Sequence, residues 1–153
     1  LGRSLGLDVP IYPLKGYSIT LSLGTDTPAA PRVSVTDIAR KVVFARLGDR
    51  LRVAGMVELV GENRQLDAAR INALQAATHT VFPALASGAD TTRNWTGLRP
   101  ATPTARPLIG HTPGTPDNLV LNTGHGVLGF TLAMGSAERV GRALQERLSP
   151  APD

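Results

Sequence analysis

The spacing of apolar residues divides the chain into short strands and two helices. Tyr17, Ile19 and Leu21 alternate with polar residues, which predicts a strand over residues 11–21 with these three side chains on one face. Further strands are predicted at residues 33–35, 41–47, 50–56, 91–98 and 119–121. Gly48-Asp49 separates two of them and predicts a β-hairpin.

Apolar residues at helical spacing predict two helices. Asp67 is expected to cap the first, which runs to about Phe82 and stops at Pro83. The second is predicted over residues 128–148, directly after a glycine-rich turn, whereas residues 101–110 are too irregular for a helix. The fold class is therefore α+β: a mostly antiparallel sheet with a flanking helix, followed by a C-terminal strand, turn and helix.

The composition excludes several classes of function. The 153 residues are 42% hydrophobic and 18% charged, as in a globular protein with a core. The formal charge of +4 is scattered along the sequence and predicts a solvated surface, not a nucleic-acid groove. Without cysteine there is no disulfide, thiolate nucleophile or cysteine metal site. The three histidines lack metal-ligand spacing, so no metal site is predicted.

Arg99 is the first candidate for function. It lies in residues 95–100 (Trp-Thr-Gly-Leu-Arg-Pro), where Gly97 and Pro100 indicate a fixed backbone at a proline-braced turn. A guanidinium is a planar fork of donors that matches a carboxylate. We predict that Arg99 holds a substrate carboxylate; the alternative is a structural or surface arginine.

Residues 122–129 (Asn-Thr-Gly-His-Gly-Val-Leu-Gly) are the second candidate. A strand that ends in small residues and opens a helix presents free backbone N–H groups and the positive end of the helix dipole. Such an end can stabilise negative charge on a reduced flavin or a phosphate. The alternatives are a tight connection without a ligand and, for His125, a ring that bonds its own turn instead of acting as a base.

Four segments resemble one family. Residues 9–18, 50–58, 95–100 and 122–126 are similar, in order and spacing, to the small subunit of bacterial D-amino-acid dehydrogenases, in the D-amino-acid oxidase-like superfamily. The resemblance implies an FAD-dependent enzyme that oxidises D-amino acids to 2-oxo acids and ammonia, with electrons passing to the respiratory chain. It also implies a location in the cytoplasm or at the periphery of the bacterial inner membrane, without a transmembrane segment.

The same resemblance assigns roles to individual residues. Arg99 and Met56 are expected to contact substrate, and no catalytic side chain is required if the amine binds neutral. The residues expected to contact the cofactor are Gly124, His125, Gly126, Val127, Leu128, Lys15 and Gly16. One departure concerns the turn after Thr102-Pro103, where the family usually has Asp-Gly and this chain has Thr104-Ala105.

The domain assignment follows from the resemblance. Residues 1–110 are expected to form part of a substrate-binding domain, and residues 111–153 the last strand and helix of the FAD-binding domain. The N-terminal dinucleotide-binding half is expected to be a missing partner, without which the chain should bind flavin weakly or not at all and be inactive. The alternatives are a glycine- or sarcosine-oxidase-like fragment, a cofactor-free carboxylate-binding module and an inactive remnant.

Overall fold

The computed structural model describes residues 3–23, 29–85 and 91–148 and divides the chain into two compact units. One unit is Lys15–Leu98, and the other consists of Leu1–Leu14 with Arg99–Asp153. These units have other bounds than the predicted domains, residues 1–110 and 111–153, and the division does not test their functions. That domain assignment stays a prediction. None of the helices in the described ranges has the length and apolar character that a membrane crossing requires.

A five-stranded sheet contains most of the predicted strands. Its strands are β1 (Tyr12–Ser22), β2 (Val35–Asp37), β3 (Val42–Leu47), β4 (Arg50–Glu58) and β5 (Thr91–Ala101). They are ordered β2-β3-β4-β1-β5, and β4 pairs antiparallel with both β1 and β3. The predicted hairpin is confirmed, with Gly48 at a positive φ of 64° in its turn. The α+β class is likewise confirmed.

Helix α1 (Ala68–Val81) covers one face of this sheet. The predicted cap is confirmed, because the Ala69 N–H donates to Asp67 Oδ1 at 2.8 Å. Ile71 and Leu74 of α1 are buried against side chains of β1, β3 and β4. The main core members, all in Lys15–Leu98, are Tyr17, Ile19, Leu21, Val42, Phe44, Leu51, Val53, Ile71 and Leu74.

The other unit contains a small antiparallel pair and the last helix. Strands β6 (Leu108–Gly110) and β7 (Leu121–Thr123) pair with each other, and α2 (Ala133–Leu148) packs against both. A single 3₁₀ turn, Gly126–Leu128, lies between β7 and α2. This unit therefore carries both Arg99 and the glycine-rich segment.

Five elements differ in their bounds from the predictions. Arg99 and Pro100 lie within β5, not in a turn, because β5 is the last strand of the sheet order and an edge strand tolerates proline. Residues 108–110 form a strand within the segment predicted to be irregular, and β2 and β7 are each displaced by two residues. Helix α2 begins at Ala133, not at residue 128, because glycine and β-branched residues before it are weak helix formers.

Candidate functional site

Arg99 has a fixed and partly desolvated position. It lies near the end of β5 and is half-buried. Burial lowers the pKa of its guanidinium, although an arginine remains protonated in proteins. A half-buried cation binds an anion more strongly than a solvated one, because less water screens the pair. The environment therefore suits a carboxylate ligand.

Gly97, two residues before Arg99, is explained by Trp95. A Cβ built on Gly97 would lie 2.2 Å from Cη2 of the indole, so the ring crosses the strand over the glycine. The indole is about half exposed. The glycine thus serves packing within its own strand and leaves the predicted role of Arg99 unaffected.

Residues 124–128, called the glycine turn below, depend on glycine for two reasons. Gly124 has a φ of +81°, and a Cβ there would lie 2.6 Å from Thr102 Cγ2. The buried Thr102 hydroxyl donates to the Arg106 carbonyl at 2.7 Å and fixes the turn that follows β5. Gly126 also has a positive φ, of 55°, but a Cβ there would make only an ordinary van der Waals contact with Ala101 Cβ, at 3.8 Å.

A backbone bridge joins the two candidate segments. Ala101 pairs with His125 in an isolated antiparallel bridge, and Ala101 is two residues after Arg99 on β5. Residues two apart on a strand are on the same face and about 6.6 Å apart. The structure therefore brings the backbone of Arg99 close to the glycine turn, and a shared site stays a prediction.

The His125 ring is hydrogen-bonded to α2. The simpler interpretation, in which the ring bonds its own turn, is therefore wrong. The Nε2 of His125 lies 2.8 Å from the Oγ of Ser136, a buried residue of α2. The His125 carbonyl accepts the Leu128 N–H at 3.0 Å. Sequence analysis missed Ser136, because a spacing of eleven residues across a turn and a helix start has no recognisable pattern.

The surface of the glycine turn suits a flat ring. Val127 and Leu128 are exposed, and the Cβ position of Gly126 has no close neighbour other than Ala101. The first N–H groups of a helical turn have no partner inside it and can donate to a ligand. These features fit one edge of a flavin. Gly124, Gly126 and Gly129 have the Gly-x-Gly-x-x-Gly spacing, but among the described residues no strand follows α2, so the βαβ unit that seats the pyrophosphate of FAD is not formed.

Lys15 is held inside Lys15–Leu98. Its Nζ donates to the Gln65 carbonyl at 2.5 Å and lies 5.1 Å from the centre of the Tyr17 ring. Tyr17 donates to Glu58 Oε2 at 2.6 Å, and Arg70 donates to Glu58 Oε1 at 2.7 Å. Burial, followed by Glu58, raises the pKa of Tyr17, and the Tyr17 hydrogen bond lowers the pKa of Glu58. Lys15 thus has a clear structural role.

Gly16 and Met56 lie on either side of a β-bulge. Lys15 pairs with Glu58 and Tyr17 with Gly55, so β4 has one residue more than β1 at this point. Met56 has a φ of +66°. It lines a groove of about 350 Å³ together with Val42 of β3 and Ala77 of α1. The Gly16 carbonyl accepts the Thr96 hydroxyl at 2.9 Å. A substrate contact by Met56 stays a prediction.

Comparisons with known proteins agree on one family. The family model described as FAD dependent oxidoreductase matches residues 1–143. The chain is 52% identical over 139 residues to D-amino acid dehydrogenase 2 of Ralstonia nicotianae, covering 87% of this chain and 32% of that protein. It is 48% identical over 151 residues to D-amino acid dehydrogenase of Dechloromonas aromatica, covering 99% and 35%.

Solved structures show the same fold. Glycine oxidase from Geobacillus kaustophilus has a TM-score of 0.82 and 23% identity, covering 100% of this chain and 40% of that one. Iminodiacetate oxidase from Chelativorans sp. BNC1 also has a TM-score of 0.82, with 26% identity and coverage of 99% and 40%. The chain spans about a third of the length of the curated relatives it matches.

Proposed function

We propose, because this chain belongs to the family of FAD-dependent oxidoreductases, that it is part of a flavin-dependent D-amino-acid dehydrogenase. The two dehydrogenase relatives support this substrate class, because they are 52% and 48% identical to this chain over 87% and 99% of its length. The remaining dinucleotide-binding part of such an enzyme is proposed as a partner of this chain, and a respiratory-chain component as its electron acceptor.

Arg99 is proposed to bind the substrate carboxylate. Its half-buried position on β5 holds the guanidinium where a bidentate pair with a carboxylate is favourable. Binding by the carboxylate orients the α-carbon and leaves the side chain of the amino acid to other contacts. A bound FAD would supply the acceptor for a hydride from that carbon, and hydrolysis of the resulting imino acid by water would give a 2-oxo acid and ammonia.

The glycine turn is proposed to contact the flavin ring through Gly124, His125, Gly126, Val127 and Leu128. The observation that carries the proposal is the bridge between Ala101 and His125, because it fixes this turn beside the strand of Arg99. Lys15 and Gly16 as flavin contacts and Met56 as a substrate contact are also part of the proposal. Lys15 and Met56 already have structural contacts within their own unit.

The test uses the protein expressed from its complete natural reading frame. The purified protein should contain FAD, and a D-amino acid should reduce that FAD under anaerobic conditions. The L-enantiomer serves as the control substrate. A protein that binds carboxylates but neither binds FAD nor oxidises D-amino acids would support a cofactor-free binding module instead.

Arg99→Lys tests the substrate role. Loss of a bidentate charged contact costs about 1.5–3 kcal/mol, so the KM for the D-amino acid should rise about tenfold or more. Arg93→Lys is the matched control, because Arg93 is an exposed arginine of the same strand. Equal KM values for the two variants would remove Arg99 from the site.

A further inference from the structure

We infer that Ser136, acting through His125, is a positioning residue that holds the glycine turn in the orientation its ligand requires. The inference rests on the proposed function, since the ligand is taken to be the flavin ring. Ser136 itself lies in the first turn of α2, and its hydroxyl is hydrogen-bonded to the His125 ring.

The pair is built as a fixed link. Ser136 is 3% exposed, and its Oγ lies 2.8 Å from Nε2 of His125. Ser136 is itself held by the helix, because its N–H donates to the Leu132 carbonyl at 2.9 Å. A buried polar atom that loses its partner is costly, so the imidazole and the hydroxyl favour this single arrangement.

His125 connects three elements at one residue. Its backbone bridges to Ala101 of β5, its carbonyl accepts the Leu128 N–H of the 3₁₀ turn, and its ring bonds Ser136 of α2. Rotation of the ring away from Ser136 would remove its hydrogen bond to α2 and leave the turn held to the helix start only by backbone contacts such as the Leu132 N–H, which donates to the Leu128 carbonyl at 2.9 Å. Because the same residue bridges to β5, the ring bond also supports the place of the turn beside that strand.

This arrangement also assigns the histidine a role other than proton transfer. Its Nε2 is occupied by a buried hydroxyl, whichever of the two atoms supplies the hydrogen. A general base must reach the proton it abstracts. The geometry therefore points to orientation of the turn as the function of this ring nitrogen.

The experiment compares Ser136→Ala with Ser18→Ala in the FAD-loaded protein. Both serines are 3% exposed, but the Ser18 hydroxyl has no hydrogen-bond partner among the described residues. Ser136→Ala should shift the visible absorption of the bound flavin and slow its reduction by the D-amino acid roughly fivefold. The KM should change less than twofold, because Arg99 is retained. Ser18→Ala should change none of these.

Histidine ring NMR provides a readout independent of flavin. Ser136→Ala should shift the Nε2 resonance of one histidine and leave the exposed His79 and His111 unchanged. His125→Gln, which keeps an amide within reach of the serine, should recover part of the reduction rate that His125→Ala loses. The double variant His125→Ala with Ser136→Ala should be no slower than His125→Ala alone.

The outcomes separate the two proposals. A wild-type protein without FAD contradicts the proposed function, while the NMR comparison still tests the link between ring and hydroxyl. An unchanged flavin spectrum and reduction rate in Ser136→Ala would overturn the inference with the proposed function intact. Equal losses in Ser136→Ala and Ser18→Ala would overturn it too, because they would reflect general destabilisation.

Discussion

Ala105 has a backbone conformation that glycine would adopt more easily. Its φ is +57°, and its N–H donates to the Thr102 carbonyl at 3.1 Å to close the turn after β5. In the family that this sequence resembles, the turn usually has Asp-Gly where this chain has Thr104-Ala105. Ala105 therefore carries backbone strain that a glycine would avoid. The departure seen in the sequence therefore affects local strain and preserves the turn.

Ala105→Gly should stabilise the protein by about 1 kcal/mol, because a left-handed conformation costs an L-residue roughly 1–2 kcal/mol and part of that gain is lost to chain entropy. Ala137→Gly is the control, since Ala137 is an exposed residue inside α2 and should lose about 1 kcal/mol. Urea unfolding measures both. Destabilisation of the same size in both variants would contradict the strain at Ala105.

The single tryptophan reports on Gly97. Gly97→Ala should displace the indole of Trp95, since the added Cβ would lie 2.2 Å from Cη2. We expect a red-shifted emission and stronger quenching by acrylamide, because the displaced ring is more exposed. Gly135→Ala is the control, since no atom lies within 4 Å of its Cβ position. Identical emission from both variants would show that the ring does not cover Gly97.

At the scale of elements, β1, β4 and the start of α1 are linked by the Glu58 carboxylate. Glu58 accepts hydrogen bonds from Tyr17 and Arg70, and the Tyr17 bond lowers its pKa below the ordinary value of 4.5. A lowered carboxyl pKa contributes stability above pH 4.5, and that contribution is lost as the pH falls through the lowered value. Glu58→Gln should therefore be less stable at pH 7 and lose less stability on acidification.

Chemical unfolding at pH 7 and pH 3 measures this difference. Glu62→Gln is the matched control, because Glu62 is an exposed carboxylate of the segment that follows β4. It should follow the wild-type acid dependence. If Glu58→Gln and the wild type lose equal stability between the two pH values, the link through Glu58 does not contribute.

Elements that are determined by residues close in sequence could be predicted. Elements that depend on contacts between distant residues could not. The β3–β4 hairpin and the Asp67 cap are encoded by neighbouring residues, so the sequence was sufficient for both. The extension of β5 through Pro100 depends on its place at the sheet edge. The proximity of Arg99 to the glycine turn depends on the Ala101–His125 bridge, which spans 24 positions and has no local signature.

At the scale of the whole molecule, several apolar side chains that follow the glycine turn along the chain are exposed. Phe130 is 98% exposed and Met134 84%, and they follow the exposed Val127 of the glycine turn. Large exposed apolar clusters mark surfaces that bind other protein or ligand surfaces. Since the chain spans about a third of the matched relatives, we expect the remaining part of the proposed enzyme to cover these residues.

Phe130→Gln tests this expectation in two contexts. In the 153-residue chain the substitution should reduce binding of a hydrophobic dye without loss of stability, because the ring is in contact with water. In the FAD-loaded protein from the complete reading frame it should cost about 1.5–3 kcal/mol, the value of one buried aromatic or aliphatic side chain. Val33→Gln is the control, since Val33 is 71% exposed and lies in Lys15–Leu98, away in sequence from the glycine turn. Val33→Gln should change stability little in either protein. A similarly small effect of Phe130→Gln in the FAD-loaded protein would show that Phe130 stays exposed to solvent there.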